Sequence, residues 1–231
     1  MRTQRLVNRW LWGLVFAVVG AVVHIGVVRG QEARTDEFEG SAPNQEGTYT
    51  DIVLTGAEKD AFLKAHNDAR QAVGLEPLAW SDEIARYSLE WLSENHAEYL
   101  KAAVVGKLPP IKHRPRDAGK FQQKYGENIA CWSGPSSTAG SSSQAVTAWL
   151  TEKGAFDTLN KKKAYVVGDE AGQTDASGQP VRVGHYTQIV WKDTRTIGAA
   201  KWQYTSRNGQ TAVVIVCNYD PPGNFIGRQP H

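Results

Sequence analysis

Cysteine and methionine are scarce: 231 residues contain two of the first and one of the second. Two thiols cannot scaffold a disulfide-rich miniprotein or fill a four-thiolate zinc site, so a stable core must rest on packed apolar side chains. Basic runs with interleaved aromatics are also missing, which removes the footprint of a nucleic-acid binder. The formal charge of +2 owes much to Arg2, Arg5, Arg9 and Arg29, and without these four the chain keeps 22 cationic against 24 acidic residues. His-Glu-x-x-His, Gly-x-Ser-x-Gly, Walker and Cys-x-x-Cys patterns are all absent, so the common signatures of zinc proteases, serine hydrolases, nucleotide binders and dithiol redox proteins are not there. No heptad repeat offers an assembly surface, and the exported chain is expected to be a monomer. What is present is 41% hydrophobic residues, with eight tryptophans and eight tyrosines. That composition suits one globular domain and excludes a collagen-like, coiled-coil or wholly disordered chain.

Residues 1–30 combine three early arginines with an apolar stretch from Trp10 to Val28. A basic start before a hydrophobic core is the pattern of a secretory signal peptide. The stretch is also long enough for an uncleaved signal anchor, the one way this chain would hold to a membrane. Residues 31–50 are acidic and polar with few large aliphatic groups, too little apolar surface to offset the entropy of ordering, and read as a disordered tether. The domain proper is expected over 51–231.

Helix signals come first. Thr55 and Glu58 have the spacing of a capping box, Phe62, Ala65, His66, Ala69 and Val73 follow at helical period, and Gly74 supplies a left-handed stop. Ser81 with Asp82 and Glu83 opens a second helix carrying Ile84, Tyr87, Trp91 and Leu92 on one face. Residues 134–143 are a glycine-serine loop whose serines serve flexibility and capping rather than nucleophilic chemistry. Ala145, Val146, Trp149 and Leu150 then mark a third helix ending near Gly154. Strands are expected from Glu127 to Trp132, His185 to Trp191, Gly198 to Tyr204 and Thr211 to Tyr219. Both alternating faces are apolar in Thr211-Ala-Val-Val-Ile-Val-Cys217, so this strand is covered on both sides. Helices first and a doubly covered sheet later give an α+β chain folded as a three-layer α/β/α sandwich. Residues 157–183, polar and glycine-containing, read as a surface insertion.

On these grounds alone, His185 is a packed histidine at the edge of a buried strand face, and His66 with Arg70 is a structural polar pair. Glu127 stands out, because a carboxylate beside a buried strand needs a histidine or a metal as partner.

Two longer motifs add to this. Gly184-His-Tyr-Thr-Gln-Ile-Val-Trp191 and Cys217-Asn-Tyr-Asp-Pro-Pro-Gly-Asn224 resemble the signature motifs of the CAP superfamily of cysteine-rich secretory, antigen 5 and pathogenesis-related class 1 proteins. His66-Asn-Asp-Ala-Arg70, Leu78-Ala-Trp80, Gly126-Glu-Asn128 and Trp149-Leu-Thr-Glu152 extend the resemblance over most of the chain between Asp51 and Gly227. It implies the three-layer fold and a cleft lined by two histidines and two glutamates. By motif these are His185, Glu127 and Glu152, with His113 as the second histidine and His96 as the alternative. The match at His113 departs from the family, which often has serine where this chain has Arg114. Ala199 stands where relatives commonly have cysteine, so Cys131 is taken as the substitute disulfide partner of Cys217.

The resemblance further implies a secreted binding protein that takes a sterol or fatty acid, with zinc or another divalent metal held by His113 and His185 and not needed for folding. A secreted metal-dependent hydrolase or protease, with Glu127 or Glu152 as base, is the first alternative. A defence or envelope-interaction protein is the second.

Overall fold

The computed structural model describes residues 47–116, 119–135, 141–161 and 164–231. The leader and most of the tether lie outside the described residues. The elements run β1 (Gly47–Val53), α1 (Gly56–Gln71), β2 (Ala79–Trp80), α2 (Asp82–Glu94), α3 (His96–Ala103), β3 (Gly126–Pro135), α4 (Ser142–Leu150), α5 (Lys153–Leu159), α6 (Gly184–Ile189), β4 (Thr196–Ser206) and β5 (Gln210–Asp220). The sheet order is β1-β4-β5-β3, antiparallel throughout, with the short β2 pairing parallel to the start of β4. No helix among the described residues is long and apolar enough to cross a membrane.

β5 organises the layers as its two apolar faces require. Val213, Ile215, Cys217 and Tyr219 pack with Phe62 of α1 and Val146 and Trp149 of α4. Ala212, Val214 and Val216 pack with Trp91 and Leu92 of α2 and Tyr99 of α3. The three-layer α/β/α sandwich is therefore the observed architecture. α2 lies so close to β4 that a Cβ on Gly198 would fall 2.1 Å from the backbone nitrogen of Ala85. Only glycine tolerates that approach.

Several local expectations change. Pairing with β4 draws Gly47 to Val53 into a strand, so the last residues of the expected tether belong to the sheet. Thr55 does precede the first helix, but no side-chain cap forms there. Glu58 turns instead to Lys201 Nζ, at 2.8 and 3.0 Å, because a half-buried ammonium on the sheet is a stronger partner than an exposed N–H. Within 157–183, Tyr165 and Val183 are buried in the core, and Val167 exchanges backbone hydrogen bonds with Gly227 and Arg228.

The disulfide does not form: Cys131 and Cys217 are both free. Cys131 faces Val214 in the β3–β5 register, three residues from Cys217, an offset of about 10 Å along the strand where a bridge needs Cα atoms within about 7 Å. The odd offset also puts the thiols on opposite faces, Cys131 toward α2 and α3 and Cys217 toward α1 and α4. Burial pushes both thiols to higher pKa. Thiol titration of the denatured, unreduced protein should count two thiols per chain, and a count of zero would mean that the register is wrong.

Candidate functional site

The first histidine rides on α6. His185 and its neighbours form this short helix rather than the expected strand, because the Glu152 carboxylate accepts from the backbone N–H groups of His185 and Tyr186 at 2.8 and 3.1 Å. These are first-turn donors with no partner inside the helix. At the other end Arg70 takes up the Ile189 and Trp191 carbonyls. The other Glu152 oxygen accepts from His185 Nδ1 at 2.6 Å, and the ring stacks on Trp149 with a 6.0 Å centroid distance and 17° between planes. Hydrogen bond and stack together fix the imidazole.

The second histidine is on a loop between α3 and β3. His113 Nδ1 donates to Glu127 Oε1 at 2.9 Å, and the backbone N–H of Arg114 reaches the same oxygen at 3.1 Å. Glu127 Oε2 accepts from Asn218 Nδ2 at 3.2 Å, and Asn218 Oδ1 accepts from Ser88 on α2 at 2.8 Å. A fully buried carboxylate is thus held by three donors. Arg114, the residue that departs from the family pattern, secures the loop: its guanidinium lies 3.6 Å from the Tyr87 ring centroid and donates to the Tyr87 carbonyl. Trp91 Nε1 adds a bond to the Lys112 carbonyl at 2.8 Å.

His113, Glu127, Glu152 and His185 all border one cavity of about 360 Å3. His96 is elsewhere, accepting from Trp202 Nε1, with its ring tilted against Tyr49 at a 4.3 Å centroid distance. Carboxylates only accept, so each Nδ1 carries a proton, and Nε2 of each neutral ring keeps its lone pair and no partner among the described residues. Among those residues no cluster of three or more His, Cys, Asp or Glu side chains is placed to hold a metal. The donor set is two imidazoles, each oriented by a carboxylate behind it, an arrangement that suits a weakly held divalent ion.

His66 and Arg70 are structural, though not as a pair. His66 Nδ1 meets the Phe62 carbonyl and Nε2 meets Tyr219 OH, both at 2.9 Å, while Arg70 spends its donors on four backbone carbonyls. Asn218 and Asn128 were within recognised motifs, but their supporting roles had no spacing signal. Arg116, Glu170 and Arg182 also border the cavity, and no periodicity in their segments pointed to it.

Residues 63–219 match the family model described as CAP, the cysteine-rich secretory protein family. The chain is 36% identical over 170 residues to pathogenesis-related protein 1C of Nicotiana tabacum, covering 74% of this chain and 79% of that protein. It is 32% identical over 183 residues to pathogenesis-related protein 1 of Arabidopsis thaliana, covering 78% and 88%. The solved structure of Na-ASP-1 aligns at TM-score 0.49 and 20% identity over 77% of this chain, which spans 42% of that longer chain. The fold and the His/Glu cavity define an α+β sandwich protein with a polar cleft. The family match and the tobacco and Arabidopsis relatives show that the chain belongs to the CAP superfamily, as a domain of the pathogenesis-related 1 type.

Proposed function

We propose that this chain is an extracellular binding protein whose His113 and His185 take a divalent cation such as zinc. The observation that carries the reading is the fixing of each Nδ1 on a carboxylate, which leaves two oriented Nε2 lone pairs beside one cavity. The secretory name of the family and the leader-like first thirty residues support export, and relatives named pathogenesis-related support a role in defence. Binding is favoured over metal-dependent hydrolysis on geometric grounds. Glu127 and Glu152 each accept three hydrogen bonds, one of them from a histidine, and their side chains are 0% and 12% exposed, so little of either carboxylate is presented to a water that it could activate.

A sterol or fatty acid is the second reading. Between α1 and α4 the space is filled by Phe62, Ala145, Val146 and Trp149. Apolar surface is instead offered by a groove next to the cavity, with Ile111, Ala148, Trp149 and Ala155 in its walls.

Calorimetric titration tests the cation directly. Zinc should bind the wild type more weakly than a structural site does, and His185→Ala should lower affinity about tenfold or more. The fold should survive chelation, because α6 and the His113 loop are held by protein groups. Equal affinity in wild type and variant would remove His185 from the site.

A further inference from the structure

Seven large apolar side chains are exposed among the described residues, and three of them, Val105, Leu108 and Ile111, lie close together in sequence between α3 and β3, at 64%, 56% and 49% exposure. Single exposed aliphatics are ordinary on a protein surface, whereas a cluster marks a face that meets something other than water.

This cluster is not a frayed end. Gly106, at φ 70°, closes α3 in a left-handed turn in which the Gly106 N–H bonds to the Ala103 carbonyl and the Lys107 N–H to the Ala102 carbonyl, both at 3.0 Å. Farther on, the Cys131 thiol reaches the Pro109 carbonyl at 3.4 Å and Trp91 Nε1 the Lys112 carbonyl. The anchored backbone holds Val105 and Leu108 outward while Pro109 is buried.

Charge is as unevenly distributed as apolar surface. Residues 99–116 contain five cationic residues and no acidic one, although the chain beyond residue 30 has 22 cationic against 24 acidic residues. Of the five, Lys112 pairs with Glu98, Arg114 is buried against the Tyr87 ring and Arg116 borders the His/Glu cavity. Lys101 and Lys107 are exposed, and neither ammonium has an ion-pair or hydrogen-bond partner among the described residues. Lys107 stands between Val105 and Leu108 in sequence, and Lys101 one helical turn before Val105.

The surface that suits such a face is an anionic bilayer. Aliphatic side chains on a lysine-bearing tip enter the boundary between headgroups and acyl chains, while the ammonium groups stay at the level of the phosphates. A second copy of the chain would bring four uncompensated lysines into one two-fold interface. A purely acidic partner would satisfy the lysines and leave Val105 and Leu108 in water.

We propose that the 105–111 loop docks this domain on a membrane rich in anionic phospholipid, with Val105 and Leu108 inserted and Lys101 and Lys107 at the phosphates. This contact is separate from any that the leader makes, and it stands independently of the cation reading. Ile111 also walls the apolar groove beside the His/Glu cavity, so docking brings that groove to the interface.

The leader would itself enter lipid, so the test uses residues 31–231, which hold the packed core within the compact unit Ser41–His231. The bound fraction is read by sedimentation with sucrose-loaded vesicles of phosphatidylcholine containing about 30% phosphatidylglycerol. Partition should exceed that on pure phosphatidylcholine by about tenfold or more. Val105→Ser with Leu108→Ser should lower it about tenfold or more, and Lys107→Gln about fivefold. Leu108→Trp, which puts an interface-seeking ring at the tip, should raise it. All these positions are exposed, so each variant should keep the urea midpoint and the zinc affinity of the wild type.

No partition up to about 5 mM lipid would overturn the proposal. So would equal partition on vesicles without phosphatidylglycerol, or binding that the two serines leave unchanged. If soluble polyglutamate displaces the vesicles while the serine variant binds as the wild type does, the face belongs to an acidic macromolecule and the proposal is overturned as well.

Discussion

Arg70→Met should cost about 4 kcal/mol of folding stability, because it removes four hydrogen bonds donated by a buried charged group and leaves the Glu76 and Ile189 carbonyls with no donor among the described residues. The Arg70 side chain is fully buried on α1. Nε donates to the Glu76 carbonyl at 2.8 Å, Nη1 to Ile189 and Trp191 at 2.9 and 2.8 Å, and Nη2 to Thr194 at 3.2 Å. Burial, with Arg195 nearby, lowers its pKa to about 10, so the group stays charged at neutral pH. No carboxylate among the described residues pairs with it; carbonyl dipoles, including those closing α6, balance the charge. Methionine fills comparable space, so the loss isolates the hydrogen bonds from a cavity effect. Arg70→Lys keeps the charge but not the planar fork, and should lose about half as much. Urea unfolding would show the midpoint falling with an unchanged slope. The same variant should weaken zinc binding, because the freed carbonyls anchor the helix that presents His185. A midpoint within error of wild type would mean that water replaces the guanidinium without cost.

The parts of the fold legible in the sequence are those set by one residue's local surroundings. β5 announced its two packed faces through an unbroken apolar run, and with them the three layers. Helices α1, α2 and α4 announced themselves by period. What failed was long-range in origin. His185-Tyr-Thr-Gln-Ile-Val alternates well enough for a strand, and a carboxylate 33 residues earlier decides that it is a helix. β1 exists because β4 offers it an edge, and α3 carries no distinct cap. Two cysteines on predicted strands looked bondable until register placed them on opposite faces. Of the cleft, His185, Glu127 and Glu152 were carried by motif. His113 was placed through resemblance, and the structure explains its departure: Arg114 is a loop anchor in an aromatic pocket.

Acidification should destabilise the protein through His66, by about 3 kcal/mol between pH 6.5 and pH 4. The ring is fully buried. Because Nδ1 faces the Phe62 carbonyl, it must carry the proton, and Nε2 accepts from Tyr219 OH. Asn128 Nδ2 in turn donates to the Tyr219 oxygen at 3.1 Å, so this chain of hydrogen bonds ties α1 to both β5 and β3. Burial lowers the His66 pKa to about 4, and Arg70 one turn along pushes the same way. Above about 6.5 the ring is neutral in folded and unfolded chains alike, and the full stability is present. As pH falls, the unfolded chain takes up a proton that the folded chain refuses, so stability drops until the folded ring also titrates near 4. His231 is also held below its usual range by partial burial and Lys153, so the measurement belongs in a His231→Gln background. There, calorimetric unfolding near pH 5 should show about one proton taken up per chain, and His66→Gln should abolish that uptake while lowering baseline stability. Uptake that persists in the double variant would move the acid sensitivity to another group, because no other described histidine is as deeply enclosed as His66.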